Sequence, residues 1–223
     1  MEYRHISMDD YARRDHFAYF KEMGYPYVGV TIDVEITDWL SALKARQLPF
    51  FHSFFYAAVN AANRVPQLRQ RIQGDGVIEY KKCLGSYTLA LPNETYCYCT
   101  LDTDCPLEEF LAYAKKEQQK AAANAGLDDG EDALVLFFIS SLPWMSYRSI
   151  VQPVPVPADS NPRITWGRYF MREQKMWIPV SLLCHHALVD GVHMHHFFEQ
   201  LDGQLDAMQD YFTAGNLPFT AKK

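Results

Sequence analysis

Apolar and polar positions alternate through residues 27–36. Tyr27, Val28, Val30, Ile32, Val34 and Ile36 are set against Thr31, Asp33 and Glu35, the period-two pattern of a strand. Before it, Tyr11, Phe17, Phe20 and Met23 fall beside Arg13 and Arg14, which predicts a helix over 11–23. After it, Thr37 is a candidate cap for a helix running to about Leu48. Residues 50–64 are apolar nearly all round, the mark of a buried helix, and Pro66 closes it. Gly74-Asp75-Gly76 reads as a turn, with strands following at 77–81, 86–91 and 94–101. Pro106 opens an amphipathic helix to about Ala123, and a polar loop covers Asn124 to Asp132.

The second half reads in the same way. Residues 133–140 form an apolar strand, and the prolines at 153, 155, 157 and 162 make 151–163 an irregular crossing segment. Two strands are expected at Ile164–Phe170 and Met176–Cys184, joined by the polar link Met171–Lys175. Phe197, Leu201, Leu205, Met208 and Phe212 recur at helical spacing within an amphipathic helix from about Val192. No linker, repeat or low-complexity stretch divides the chain. The expectation is one α+β domain over 1–223, with helices over a large mixed sheet.

Composition narrows the function classes. The chain has 223 residues and a net charge of −6, against the basic face a nucleic-acid binder needs. Nearly half of it is hydrophobic, enough for a sizeable core, yet no run approaches the roughly 20 apolar residues that span a bilayer. Its cysteines, Cys83, Cys97, Cys99, Cys105 and Cys184, show no Cys-x-x-Cys spacing, and Cys97 and Cys99 alternate onto one side of a strand. With their odd number and no signal peptide, reduced thiols and a cytoplasmic location are expected.

The segment His185-His186-Ala187-Leu188-Val189-Asp190-Gly191 carries the chemistry. It follows an apolar strand, so an imidazole is delivered to a turn by a rigid element. Imidazole is the side chain whose ordinary pKa lies near neutrality, as a general base requires. If Nε2 of His186 is the active nitrogen, Nδ1–H needs an acceptor. Asp190 is one candidate; alternatively it pins the loop by pairing with Arg13 or Arg14. Ser149 lacks the Gly-x-Ser-x-Gly context of a nucleophile, leaving a hydroxyl donor to an oxyanion or an ordinary loop serine. His193, His195 and His196 raise a metal site, with His193, His196 and Glu199 near one helix face. Zinc ligands usually come from separated segments, so a His-rich polar face is preferred and no metal is expected.

His185 to Gly191 closely resembles the His-His-x-x-x-Asp-Gly signature of the type A chloramphenicol acetyltransferases, a motif also found in the catalytic domain of dihydrolipoamide acyltransferases. Arg13-Arg14-Asp15-His16-Phe17 is similar to that family's N-terminal Arg-[Arg/Lys]-Glu-His-Phe. Leu142-Pro143-Trp144 through Ser149 is similar to its Pro-Trp-x-x-(x-x)-Ser segment, and Ile164-Thr165 with Tyr169 to its Thr-containing strand. The resemblance implies the CoA-dependent acyltransferase sandwich, a homotrimer with sites between subunits, acetyl-CoA as co-substrate and a ternary complex. It implies His186 as general base, Ser149 as oxyanion donor, Asp190 paired structurally with Arg13, and Thr165 holding an ordered water.

The acceptor positions depart from the family pattern. Tyr19-Phe20 stands where a Phe-Tyr pair is expected, Tyr96 where a phenylalanine is expected, and Arg148 where related enzymes carry Thr or Asp. Acetyl transfer to a chloramphenicol hydroxyl is the leading expectation. The alternatives are the same chemistry on another alcohol, amine or thiol, or a protein that binds a small molecule without turning it over.

Overall fold

A computed structural model describes residues 1–127 and 132–214, so part of the expected 124–132 loop lies outside the described residues. The elements run β1 (Tyr3–Ile6), α1 (Arg14–Lys21), β2 (Tyr27–Glu35), α2 (Thr37–Ala45), α3 (Phe50–Asn63), β3 (Gln70–Gln73), β4 (Gly76–Tyr80), β5 (Leu84–Ala90) and β6 (Tyr96–Leu101). They continue with α4 (Leu107–Ala123), β7 (Leu136–Leu142), β8 (Arg163–Gly167), β9 (Phe170–Arg172), β10 (Lys175–His185) and α5 (Gly191–Ala214). The large sheet has the order β2-β10-β8-β7-β5-β6, with β9 also paired to β10. β5–β7 and β7–β8 are parallel and the other pairs antiparallel, so the sheet is mixed as expected. A smaller antiparallel sheet orders β1-β4-β3.

The fold is α+β, with its apolar core between the large sheet and the helices. Trp166 of β8 packs on Phe51 and Phe54 of α3, and Tyr87 of β5 packs on Phe51 and Phe55. α3 is apolar all round because it has neighbours all round: it packs against α4, α5 and β5. Strand alternation then puts Thr165 on the opposite face. Register aligns it there with Ser140 of β7, Ser181 of β10 and Thr31 of β2, so hydroxyls cross that face strand by strand.

The structure corrects several sequence expectations. Thr37 is the first residue of α2 and Ile36 holds the cap position, with no side-chain cap. The Thr37 hydroxyl instead accepts from the Met176 N–H at 2.9 Å and donates to Glu35 Oε1, because β2 passes directly into α2 beside β10. Residues 133–135 form a 3-10 turn, and the strand starts at Leu136. Side chains take carbonyls at this junction: Asn161 donates to Ala133 and Leu136, and the fully buried Arg71 donates to Leu134 and Leu136. The link at 171–175 is tighter than expected, with Glu173 and Gln174 both at positive φ between β9 and β10. β1 and β3 were not anticipated. Tyr-Arg-His-Ile and Gln-Arg-Ile-Gln carry no apolar alternation, and both gain their hydrogen bonds from β4 between them.

Close helix–sheet contact requires a residue without a side chain at Gly85. A Cβ there would meet the Phe55 ring and lie 2.7 Å from Val59 Cγ2. Overpacking at such a contact costs typically about 1–3 kcal/mol. Gly85→Ala is expected to lower unfolding stability by that amount, read from the midpoint shift in chemical denaturation.

Candidate active site

β10 delivers His185 and His186 to the turn that precedes α5. The turn is held by backbone: His186 N–H donates to Pro26 O at 2.7 Å, and the N–H groups of Leu188 and Val189 donate to His185 O. His186 Nδ1 lies 2.9 Å from Val189 O. A carbonyl only accepts, so Nδ1 carries a proton, and in the neutral ring the lone pair is on Nε2. Phe20 of α1 covers the His186 ring at 3.9 Å between centroids, with the exposed Tyr19 beside it.

Arg13 ties the start of α1 to this turn. Its guanidinium donates to the His186 carbonyl at 3.0 Å and reaches Asp190 Oδ2 at 3.4 Å. Asp190 thus pairs with Arg13 and leaves the His186 tautomer to Val189. Its other oxygen accepts from Gly191 N–H at 2.6 Å, the bond that does most to hold its carboxyl below the usual range.

His193 Nδ1 accepts from Asp190 N–H at 2.9 Å, closing the first turn of α5. The polar face of α5 that carries His193, His196 and Glu199 has other partners. Glu199 faces His195 at 3.4 Å instead, one helical turn away, and His193 is committed to the cap. Among the described residues, no group of three or more His, Cys, Asp or Glu converges in a metal-binding arrangement.

Beneath the turn lies a buried polar cluster. Arg163 of β8 donates to both carboxylate oxygens of Asp159 at 2.8 and 2.7 Å. Tyr27 donates to Asp159, and its ring lies against Arg163 and His185. Burial holds His185 down to about 4 and therefore neutral.

Ser149 and Thr165 belong to another part of the sheet. Thr165 is level with Ser181 of β10, and His186 lies five residues further along, a separation of about 16 Å in extended chain. The Thr165 hydroxyl is buried and has no hydrogen-bond partner among the described residues. Ser149 is exposed, on the loop that leaves β7.

A cavity of about 1220 Å³ opens on the helix side between α3, β5, β7 and β8. Phe50, Phe51, Tyr87, Trp166 and Tyr169 line it, with Tyr96 also on its wall. His186 and Ser149 are not among its lining residues. One chain therefore groups Arg13, Tyr19, Phe20, His186 and Asp190 at the turn, and does not bring Ser149, Thr165 and Tyr96 to them.

The family model for chloramphenicol acetyltransferase matches residues 1–202. The chain belongs to the chloramphenicol acetyltransferase family. It is accordingly an enzyme, an acyltransferase. Similar relatives include a chloramphenicol acetyltransferase of Vibrio anguillarum, 24% identical over 216 residues that cover 95% of this chain and 98% of the relative. Another, from Clostridium perfringens, is 26% identical over 207 residues, covering 90% and 97%. A solved chloramphenicol acetyltransferase superposes with a TM-score of 0.77 at 21% identity, covering 92% of this chain and all of the other. The dihydrolipoamide acetyltransferase of Azotobacter vinelandii does so at 0.67 and 17% identity, covering 88% and 87%. The fold is that of the CoA-dependent acyltransferases.

Sequence reasoning missed the Val189 carbonyl, since a backbone acceptor leaves no mark in a side-chain motif. It also passed over the Tyr27–Asp159–Arg163 cluster, whose members lie on separate segments, and His52. His52 is buried on the first turn of α3 beside the cavity, and its Nε2 has no hydrogen-bond partner among the described residues. The Tyr-Pro-Tyr and Asn-Pro-Arg contexts of the cluster carry no spacing that would have joined them.

Two outcomes are expected at the turn. The folded chain resists the proton that unfolded His185 takes up between pH 6.5 and about 4. Its contribution to stability is full above pH 6.5 and is lost as pH falls toward 4, by roughly 2 kcal/mol after solvent screening. His185→Asn should flatten that part of a stability–pH curve measured by denaturation. Arg13→Ala should also impair activity and melting temperature more than Asp190→Asn. It removes the carbonyl bond, whereas Asn retains an oxygen for Gly191 N–H.

Proposed function

We propose that this chain is an acetyl-CoA-dependent O-acetyltransferase whose acceptor is chloramphenicol. The observation that carries the reading is His186, with Nδ1–H spent on the Val189 carbonyl and Nε2 left as a base beneath Phe20. With both substrates bound in a ternary complex, Nε2 takes the proton of the acceptor hydroxyl. The oxygen attacks the thioester carbonyl, and Ser149 donates a hydrogen bond to the resulting oxyanion. Thr165, with its free buried hydroxyl, holds an ordered water nearby. Collapse of the intermediate expels the CoA thiolate, which recovers the proton from His186. Asp190 and Arg13 keep the turn in shape, while Tyr19, Phe20 and Tyr96 contact the acceptor.

The distance along the sheet between His186 and the Ser149–Thr165 pair supports a site shared between subunits of a homotrimer. The exposed apolar side chains of Trp144, Met145 and Val151 near Ser149 fit a surface covered by another copy. The same reading carries a cytoplasmic role in antibiotic resistance, which the family resemblance implies; no helix among the described residues is long and apolar enough to cross a membrane.

A second reading keeps the chemistry and changes the acceptor to another small alcohol, an amine or a thiol. Phe20 favours it, because the ring over the base offers no hydroxyl to a polar acceptor.

Thiol release from acetyl-CoA tests both readings. Release is expected to depend on chloramphenicol and to fall about 10²–10⁴-fold in His186→Ala, and on the order of 10²-fold in Ser149→Ala. Release only with other acceptors would select the second reading. Tight chloramphenicol binding without release would mark a binding protein, and full activity in His186→Ala would overturn the assigned base.

A further inference from the structure

Ser149 is exposed on the loop that leaves β7, so its position depends on how that loop is fixed. Three contacts fix the loop just before it. Arg168 N–H donates to Met145 O at 2.8 Å. Gly167 lets the loop lie flat on the end of β8: a Cβ there would stand 2.8 Å from Met145 O and 3.0 Å from the Tyr147 ring. Tyr147 then donates its phenolic proton to Thr165 O at 2.8 Å. The Tyr147 phenolic oxygen in turn accepts from Ser181 Oγ at 3.2 Å, and Ser181 Oγ is hydrogen-bonded to Thr31 Oγ1 at 2.7 Å. Two residues before Ser149, the loop is thus hydrogen-bonded to β8 and β10 at once, and through Ser181 it is linked to β2.

We propose that Tyr147 is a positioning residue. Its hydroxyl sets the loop carrying Ser149 in register with Thr165, so that a donor and a water-holding hydroxyl from separate segments reach one reacting group together. The role of Ser149 in this inference rests on the acetyl-transfer reading; the tether itself does not. Tyr147 is half-buried, and burial pushes its hydroxyl above the ordinary phenol range, consistent with a neutral donor. A phenylalanine would keep the ring against Gly167 and lose only the hydroxyl bonds. Displacing a preorganised oxyanion donor weakens the transition state and leaves ground-state binding largely alone.

The test is Tyr147→Phe in the full chain, with acetyl-CoA and chloramphenicol as probes. The kcat should fall about five- to tenfold, less than the loss from removing the Ser149 hydroxyl itself, with KM for both substrates within about twofold. In a Ser149→Ala background the same change should cost nothing more, because residues acting as a unit are not additive. Ser181→Ala, which leaves the Tyr147–Thr165 bond in place, should give a smaller loss of the same kind. Independently of activity, amide hydrogen exchange over 145–150 should quicken in Tyr147→Phe while β2 and β10 keep their protection. Unchanged exchange, or losses that simply add in the double variant, would overturn the inference. If the unaltered enzyme releases no thiol with any acceptor, the acetyl-transfer reading fails. The exchange measurement then decides the tether alone: quickened exchange supports it and unchanged exchange overturns it.

Discussion

The guanidinium of Arg13 holds the two ends of the chain together at His186. Its bond to the His186 carbonyl is charge-assisted and lies at 3.0 Å on a side chain only 13% exposed. Its contact with Asp190 is longer, and that carboxylate is nearly half exposed, where an ion pair is worth little. The carbonyl bond is therefore the stronger tie. Asp190 contributes more through its short bond to Gly191 N–H, where a negative charge also suits the positive end of α5. Because Arg13 directly precedes α1, the same tie brings Phe20 over the imidazole. A bond between residues far apart in sequence thus sets both the height of the His186 ring and the Phe20 wall above it.

Beneath the turn, polarity is buried at a cost that geometry offsets. Desolvation works against Arg163, but two bonds to Asp159 outweigh it and leave its pKa raised. Burial first, and then the Asp159 charge, push Tyr27 up to about 12. His185 sits among these groups neutral, accepting from Ala187 N–H. The proline-rich segment 151–163 carries Asp159, so the cluster fixes that irregular stretch to the end of β10 without secondary structure. The turn above it then has little freedom to move.

Much of this was legible in the sequence wherever apolar periodicity and burial agree. β2, α3, α4, β10 and α5 stand where their patterns place them, because each has a face, or in α3 a whole surface, that only the core can cover. The pairing of Arg13 with Asp190 was one of three possibilities that the residues left open, beside Arg14 and the His186 ring. What stayed hidden were features that depend on backbone partners. Residues 133–135 look like a strand, but the Ala133 and Leu134 carbonyls are taken by Asn161 and Arg71 and leave the ladder. Thr37 looks like a cap, but its hydroxyl is captured by Met176 N–H across the sheet. The His186 tautomer rests on the carbonyl of Val189, whose side chain plays no part in it.

The large sheet also explains why the candidate residues fall into two groups. β10 is paired along its length with β2, so it cannot bend to bring its end back toward its middle. Thr165 is held level with Ser181 by the β8–β10 register, and His186 stands beyond the end of the ladder. A one-residue slip would turn Thr165 toward the helices and Trp166 away from α3, exchanging a polar residue for the aromatic ring that packs on Phe51 and Phe54. The core therefore enforces the register, and the register enforces the separation. The residues proposed as base and oxyanion donor are thereby held apart within one chain, and that separation is what leads the proposed reading to share its reaction centre between two.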